Sequence, residues 1–309
     1  MMFKIDNELY SLITLFIFLA VIPQFLSIYN VRLLSVGLLY GLAAVGFNLL
    51  YGYTGLLSFG HAMFWSAGAY GLAIGLVKLN LDPLMSILLA FTLTFTVAIV
   101  TGYLSLRHTE IYFAMLTLAF AQLIYALIIK LRDITGGDEG IYGIPRFPSD
   151  IGGYYYLIYI IVFILVILAW WIVRTPLGLG FQAVRDNPYR AEALGLDVRR
   201  VRLISFVLSG FYLSIAGMLY APLNRAITPD IAFWTFSAII VIMTIIGGSK
   251  NVLGAFIGGL IFIYINTQAM NLTEFWQLTL GIILALLVYL APYGIVGIFE
   301  RVLRYVRGG

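Results

Sequence analysis

Residues 33–51, LLSVGLLYGLAAVGFNLLY, run for nineteen positions without a charged side chain. At 1.5 Å per residue a helix over them is about 28 Å long, close to the hydrocarbon thickness of a bilayer. The stretch has company. Comparable apolar runs fall at residues 9–29, 60–77, 84–106, 111–129, 154–173, 203–223, 231–246, 252–265 and 275–290, which gives ten candidate spans. The whole chain reads the same way: 62% of it is hydrophobic and 10% charged, with a mean hydropathy of +1.02. Soluble domains carry about 45–50% apolar and about 25% charged residues. Even a 300-residue globule hides only about 75% of the surface its unfolded chain exposes, so this composition belongs in a membrane. Ten spans of about 20 residues take up roughly two-thirds of the chain and exclude a soluble catalytic domain. The alternation that marks an outer-membrane barrel strand is missing. The expected fold is all-α and polytopic, one transmembrane domain over residues 1–309.

The chain has no cysteine, and its two histidines are His61 and His108. Disulfides, thiolate metal sites, cysteine nucleophiles and polyhistidine metal sites are therefore excluded. No phosphate loop of the form G-x-x-x-x-G-K-[ST] occurs, nor a G-x-S-x-G elbow or an H-E-x-x-H pair, so neither a catalytic centre nor a cofactor is expected. The run 9–29 is too long for a signal-peptide core, follows Asp6 and Glu8, and lacks a small-residue cleavage site. It reads as a retained first span. All fourteen carboxylates fall in loops or at span ends. An ion-coupled carrier usually places an ionisable group at mid-span, which weakens that class, although backbone carbonyls and hydroxyls can still hold sodium.

Orientation follows from the basic residues of the short loops. With the N-terminus inside, twelve of the eighteen lie on the cytoplasmic side, most of them in residues 174–202 and 301–307. Loop 130–153 is then external and loop 174–202 cytoplasmic.

The segment GYTGLLSFGH, residues 52–61, interrupts the apolar pattern between two spans. Gly52, Gly55 and Gly60 let the backbone turn and reopen, Thr54 and Ser58 offer hydroxyls, and His61 ends the segment. Irregular backbone at membrane depth survives only when it is buried in protein or lines a cavity, and broken helices of this kind form transporter sites. These six residues are the candidate translocation pathway, in a broken or re-entrant segment. An ordinary inter-span turn is the alternative, with His61 a neutral histidine hydrogen-bonded at a helix start. The G-x-x-x-G pairs Gly37/Gly41, Gly71/Gly75 and Gly254/Gly258 read as close helix packing.

The string AVRDNPYRAEALGLDVRRVRL, residues 183–203, carries the most local information. Asn187 can cap a helix, Pro188 fits its first position and Gly195 fits just past its end. The helix 188–194 is about 10 Å long, and helices under about 12 residues do not persist alone in water. Asp197 caps the next helix, which carries Arg199, Arg200 and Arg202 into the membrane. Tyr189, Ala191, Ala193 and Leu194 form small and apolar ground rimmed by Arg185, Asp186, Arg190 and Glu192, as a protein partner would grip. A purely topological basic loop is the bland alternative.

RAEALG (190–195), with AVRDN before it and LISFVLSGFYLSIAGMLYA (203–221) after it, resembles the permease subunits of ABC importers for branched-chain amino acids, the LivM-like permeases above all. GYTGLLSFGHAMFWSAGAYG (52–71) and IIGGSKNVLGAFIGG (245–259) are similar to the early and late glycine-rich stretches of that family. The general importer motif reads E-A-A-x-x-x-G, whereas Glu192-Ala193-Leu194-Gly195 stands here, and Lys250 replaces a common glycine. The resemblance implies a heterodimer with a second homologous permease, two cytoplasmic ATP-binding subunits and an external solute-binding protein, in a bacterial or archaeal cytoplasmic membrane. Residues 185–195 would then be the ATPase-coupling element, namely Arg185, Asp186, Asn187, Arg190, Ala191, Glu192, Ala193, Leu194 and Gly195. Urea and short-chain amide importers share this architecture and are the nearest alternative. An ion-coupled secondary carrier is the alternative from another class. Nothing points to nucleic acid.

Overall fold

The structure is a computed structural model that describes residues 2–107, 111–249 and 251–272, with isolated positions beyond. Helix α1 (Met2–Val21) gives way to a 3-10 turn (Ile22–Phe25), because the Pro23 ring cannot continue an α-helix. The Ser27 hydroxyl accepts the Asn30 amide and starts α2 (Ile28–Tyr51). The first apolar run therefore closes at Phe25, not at residue 29. Helix α3 (Ala62–Ala73) continues as a π-helical turn (Ile74–Lys78), followed by α4 (Pro83–Ser105), α5 (Ile111–Lys130) and the short α6 (Arg132–Thr135). Helix α7 (Ile151–Ile172) leads to α8 (Pro176–Asp186), α9 (Pro188–Ala193) and α10 (Val198–Asn224), then α11 (Trp234–Gly247) and α12 (Val252–Leu272).

Seven helical stretches among the described residues are long and apolar enough to cross a bilayer: Glu8–Phe25, Ile28–Tyr51, Pro83–Ser105, Ile111–Lys130, Ile151–Ile172, Val198–Asn224 and Val252–Asn271. Two of the expected spans within the described residues are not among these seven. The run 60–77 becomes helical only at Ala62, because residues 52–61 stay irregular. The run 231–246 begins in a 3-10 turn (Pro229–Ala232), and its helix starts at Trp234 and has 14 residues. Such a helix is about 21 Å long, short of the roughly 30 Å a crossing needs. The expected run 275–290 lies outside the described residues.

One end of the bundle gathers the basic loop. There Arg174 meets Glu8, Arg185 meets Gly52 and Arg199 meets Tyr103. The opposite end is closed by Arg32 on Asn224 (2.8 Å) and by an antiparallel pairing of β1 (Ile141–Tyr142) with β2 (Ala226–Ile227). Helix α2 is the most enclosed span, with 78% of its apolar window buried, whereas α1 and α5 are 22% buried.

The chain repeats itself in inverted sense. A long helix (α2), an irregular segment, a shorter helix (α3) and a long helix (α4) are matched by α10, residues 225–233, α11 and α12. Helices α2 and α10 run antiparallel because α2 ends, and α10 begins, at the basic end. The packing repeats too. A Cβ on Gly71 of α3 would lie 2.5 Å from the Ala90 Cα of α4, and one on Gly247 of α11 would lie 1.9 Å from the Gly254 carbonyl of α12. Small residues let these half-helices lie directly on the next span.

Candidate translocation and coupling site

Residues 52–61 leave the basic end at Gly52 and climb along α10. The Thr54 hydroxyl meets Ser205 Oγ (2.7 Å), and His61 Nε2 meets Ser209 Oγ (2.7 Å) while its Nδ1 meets Ser58 Oγ (2.9 Å). Ser209 stands eleven residues, or about 16 Å, past the start of α10, so His61 lies at middle depth. There the Ala62 amide donates to Ser237 Oγ (2.8 Å), which joins the N-termini of the two half-helices. Trp65 packs on Phe236 (5.0 Å between ring centres) and edge-on to Tyr40 and Tyr220. On the α5 side Thr117 Oγ1 accepts the Phe59 amide (3.3 Å), and a Cβ on Gly60 would lie 2.4 Å from the Thr117 carbonyl.

Burial alternates along this extended strap. Thr54, Leu56, Ser58, Gly60 and His61 face inward, whereas Gly55 is exposed and Leu57 and Phe59 are half-buried. In this chain Thr54, Ser58 and His61, expected from the sequence to line a cavity, are turned toward partners inside the protein. In an apolar interior each polar side chain is drawn to a partner inside the protein, and here α10 and the strap supply those partners. His61 is fully buried and bridges two serines, so it is the hydrogen-bonded histidine at a helix start. The open face belongs to Gly55, Leu57 and Phe59. With Ala114, Met115 and Leu118 of α5 they line a groove of about 460 Å³. Among the described residues no donor reaches the carbonyls of residues 55–59. Gly55 has φ +80°, a left-handed conformation that a side chain disfavours.

The basic loop folds as its capping residues require. Asn187 Oδ1 accepts the Arg190 amide (3.0 Å), Pro188 opens α9, and Gly195 follows its end at φ +88°. The Leu196 amide reaches the Ala191 carbonyl and the Gly195 amide reaches that of Glu192, the two bonds of a Schellman motif. Helix α9 stops at Ala193, with Leu194 as its cap residue rather than its last turn. Asp197 Oδ1 accepts the Arg200 amide and caps α10. Ala191 anchors α9 inward, while Arg190, Glu192 and Ala193 are exposed, and Tyr189 and Leu194 are each 83% exposed. A helix of six residues thus holds two large apolar side chains away from the protein.

The two segments singled out in the sequence meet through Arg185. Its Nη1 donates to the Gly52 carbonyl (2.8 Å), and its Nε and Nη2 donate to Asp186. A second tie starts at Glu8. Its carboxylate accepts from Arg174 Nη2 (2.5 Å) and from the amides of Val252 and Leu253 (3.1 and 3.5 Å) at the start of α12. Arg174 also lies over the Trp170 ring, 4.1 Å from its centre. Sequence reasoning missed Ser205, Ser209, Ser237, Thr117 and Glu8, because no local pattern marks a partner 58 or more residues away.

The profile of the family described as "Branched-chain amino acid transport system / permease component" matches residues 29–291. The chain belongs to this family. Among curated relatives, the high-affinity branched-chain amino acid transport system permease protein LivM of Escherichia coli is 23% identical, over 96% of this chain and 77% of that protein. LivM of Salmonella typhimurium is 23% identical over 88% of this chain and 71% of its own length. The probable permease protein LivH of Methanocaldococcus jannaschii is 26% identical over 83% and 88%. No solved structure matches the chain at a significant level. The family and the apolar helices together make this a multi-pass membrane transport permease, and the described chemistry is one of positioning, not of bond-making.

Proposed function

We propose that the chain is one permease subunit of an ATP-driven importer for branched-chain or other hydrophobic amino acids. It works beside a second homologous permease, with two cytoplasmic ATP-binding subunits and an external solute-binding protein. The observation that carries this reading is α9, capped at both ends, holding Tyr189 and Leu194 outward and joined to residues 52–61 through Arg185. Helix α9 is the coupling helix that docks on an ATP-binding subunit, so the basic end is cytoplasmic and loop 130–153 external. About ten spans, with the strap 52–61 re-entrant among them, complete the architecture in a cytoplasmic membrane. Relatives named as LivM and LivH support the pairing with a second permease.

The pathway is the groove between the strap and α5, closed on its open side by the second permease. Its apolar lining suits a branched aliphatic side chain, and its volume is within the roughly 300–1,000 Å³ of small-molecule sites. The unengaged carbonyls of residues 55–59 offer acceptors to a solute ammonium. The test is uptake of labelled leucine into proteoliposomes that hold the complete complex. Uptake is expected only with ATP and all subunits. Leucine uptake by this chain alone, driven by an ion gradient, would overturn the proposal in favour of a secondary carrier.

A further inference from the structure

At the basic end, between the end of α4 and the start of α10, a pocket of about 570 Å³ is lined by Arg107, Arg199, Arg202, Glu192 and Asp197, among others. It is separate from the groove along the strap. Arg107 and Arg199 both lie over the ring of Tyr103, each 4.9 Å from its centre, and Arg199 Nη2 reaches the Tyr103 carbonyl (3.4 Å). Arg202 is half-buried, and its Nε is buried with no partner among the described residues. The ion pairs of the described residues are Arg174–Glu8, Arg185–Asp186 and Arg200–Asp197, so none of the three pocket arginines is neutralised by a described carboxylate. On the rim Asp197 is already engaged by Arg200 (2.8 Å) and by the α10 amide it caps, while Glu192 is exposed on α9. Among the described residues three guanidiniums thus face one uncommitted carboxylate, and a partly buried guanidinium without an anion is costly.

The surroundings bear on which anion such a pocket would take. Val100, Tyr103 and Leu104 are 51%, 50% and 43% exposed, so the outward apolar face of α4 ends at this pocket. A tyrosine between arginines at the end of a span lies at the headgroup level of a bilayer. Phosphate oxygens match the forked donors of guanidinium groups, and basic pockets between spans take anionic headgroups. We propose that this pocket binds the phosphate of an anionic phospholipid, with the acyl chains lying along the exposed face of α4.

For the test, the full-length chain is purified in detergent with the subunits that accompany it, delipidated, and titrated with phosphatidylglycerol, phosphatidylcholine or inorganic phosphate. Native mass spectrometry and thermal unfolding report binding. Phosphatidylglycerol is expected to bind saturably and raise the unfolding temperature, with little effect from phosphatidylcholine or from phosphate at the same concentration. Replacing Arg199→Gln and Arg202→Gln together is expected to weaken phosphatidylglycerol binding roughly thirty-fold. Arg200→Gln, which removes an arginine already paired with Asp197, is expected to keep it. If the double variant fails to fold, Arg107→Gln alone serves, with a loss of about five-fold. Equal binding of the two lipids, or wild-type affinity in the arginine variants, overturns the proposal. An equal effect of inorganic phosphate also overturns it, by assigning a free-anion site. Loss of the accompanying subunits with unchanged lipid affinity overturns it as well, by assigning the arginines to partner docking. None of these outcomes bears on the leucine-uptake test, so the two readings fail separately.

Discussion

Replacing Arg185→Gln cuts the one described hydrogen bond between the loop carrying α9 and the strap. Two interactions are lost, and their sizes differ. The bonds to Asp186 lie between side chains 37% and 68% exposed, and such a pair is worth about 0–1 kcal/mol. The bond to Gly52 joins a guanidinium to the carbonyl of a buried residue at 2.8 Å, and a hydrogen bond to a charged group contributes about 1.5–3 kcal/mol. The Gly52 bond therefore dominates. At about 1.4 kcal/mol per factor of ten, losing some 2 kcal/mol weakens the link between loop and strap roughly thirty-fold. Transport and hydrolysis should come apart. In proteoliposomes holding the complete complex, leucine moved per ATP hydrolysed is expected to fall by an order of magnitude or more. Hydrolysis itself continues, because α9 and its caps are untouched. Asp186→Asn is the control: it removes only the exposed pair, and the ratio should change by about five-fold at most. A wild-type ratio in a folded Arg185→Gln complex would refute the coupling role of this contact.

Gly195→Val places a β-branched residue at φ +88°, a cost of about 1–2 kcal/mol borne by the backbone alone, since a Cβ there meets nothing within 4 Å. Co-purification of the ATP-binding subunits should fall while membrane insertion is kept, and Gly195→Asn, which tolerates that conformation, should largely restore it. His61→Ala strips a partner from both Ser58 and Ser209, each buried, at about 1–3 kcal/mol apiece. The unfolding temperature should drop clearly while the KM for leucine in the surviving protein stays near wild type; a selective rise in KM would return His61 to the pathway. A cysteine-free chain allows a clean topology test. An impermeant thiol reagent applied to whole cells should label Ser149→Cys and spare Tyr189→Cys, both at exposed positions, and the reverse pattern would invert the orientation.

Helix α9 was readable to within one residue because caps are local chemistry. Asn187 reaches three residues ahead, Pro188 needs no partner for its nitrogen, and Gly195 takes a backbone shape other residues avoid. The membrane class was equally open, since hydropathy is a sum over the chain. Depth was not readable. An apolar run such as 231–246 has the same composition whether it crosses the bilayer or starts halfway through it, and only Pro229, just ahead of it, hinted at the break. The inverted repeat left one faint trace: Phe64-Trp65-Ser66 stands at the start of one half-helix and Phe233-Trp234-Thr235 at the start of the other. The inward turn of the strap's polar side chains was not legible in the sequence, for a general reason. Hydroxyls in a mostly apolar sequence look like a polar pathway, but inside a folded protein they are taken up by other hydroxyls, as Thr54 is by Ser205. The residues left facing outward are the apolar alternates.

The basic loop is pinned at two points, and each pin belongs to a different half of the inverted repeat. Arg185 holds Gly52, where the first irregular segment begins. Arg174, at the start of the loop, holds Glu8, and Glu8 caps α12, where the second half-helix hands over to the next span. The two halves also touch at the basic end, since a Cβ on Gly52 would lie 2.2 Å from the Ser249 carbonyl. At middle depth they are joined by Ala62 on Ser237. A displacement of α8 and α9 by a docked partner cannot then act on one half alone. It must break the Arg185 bond, break the Glu8 cluster, or carry both irregular segments with it. The strap gives least toward α10, where Thr54 and His61 are held by buried hydroxyls. Toward α5 it is held at Phe59 and Gly60 by Thr117, while Gly55 and Leu57 face the groove. On the proposed pathway, motion imposed at Arg185 reaches the groove through Gly55, whose position beside the Arg185 side chain joins the two.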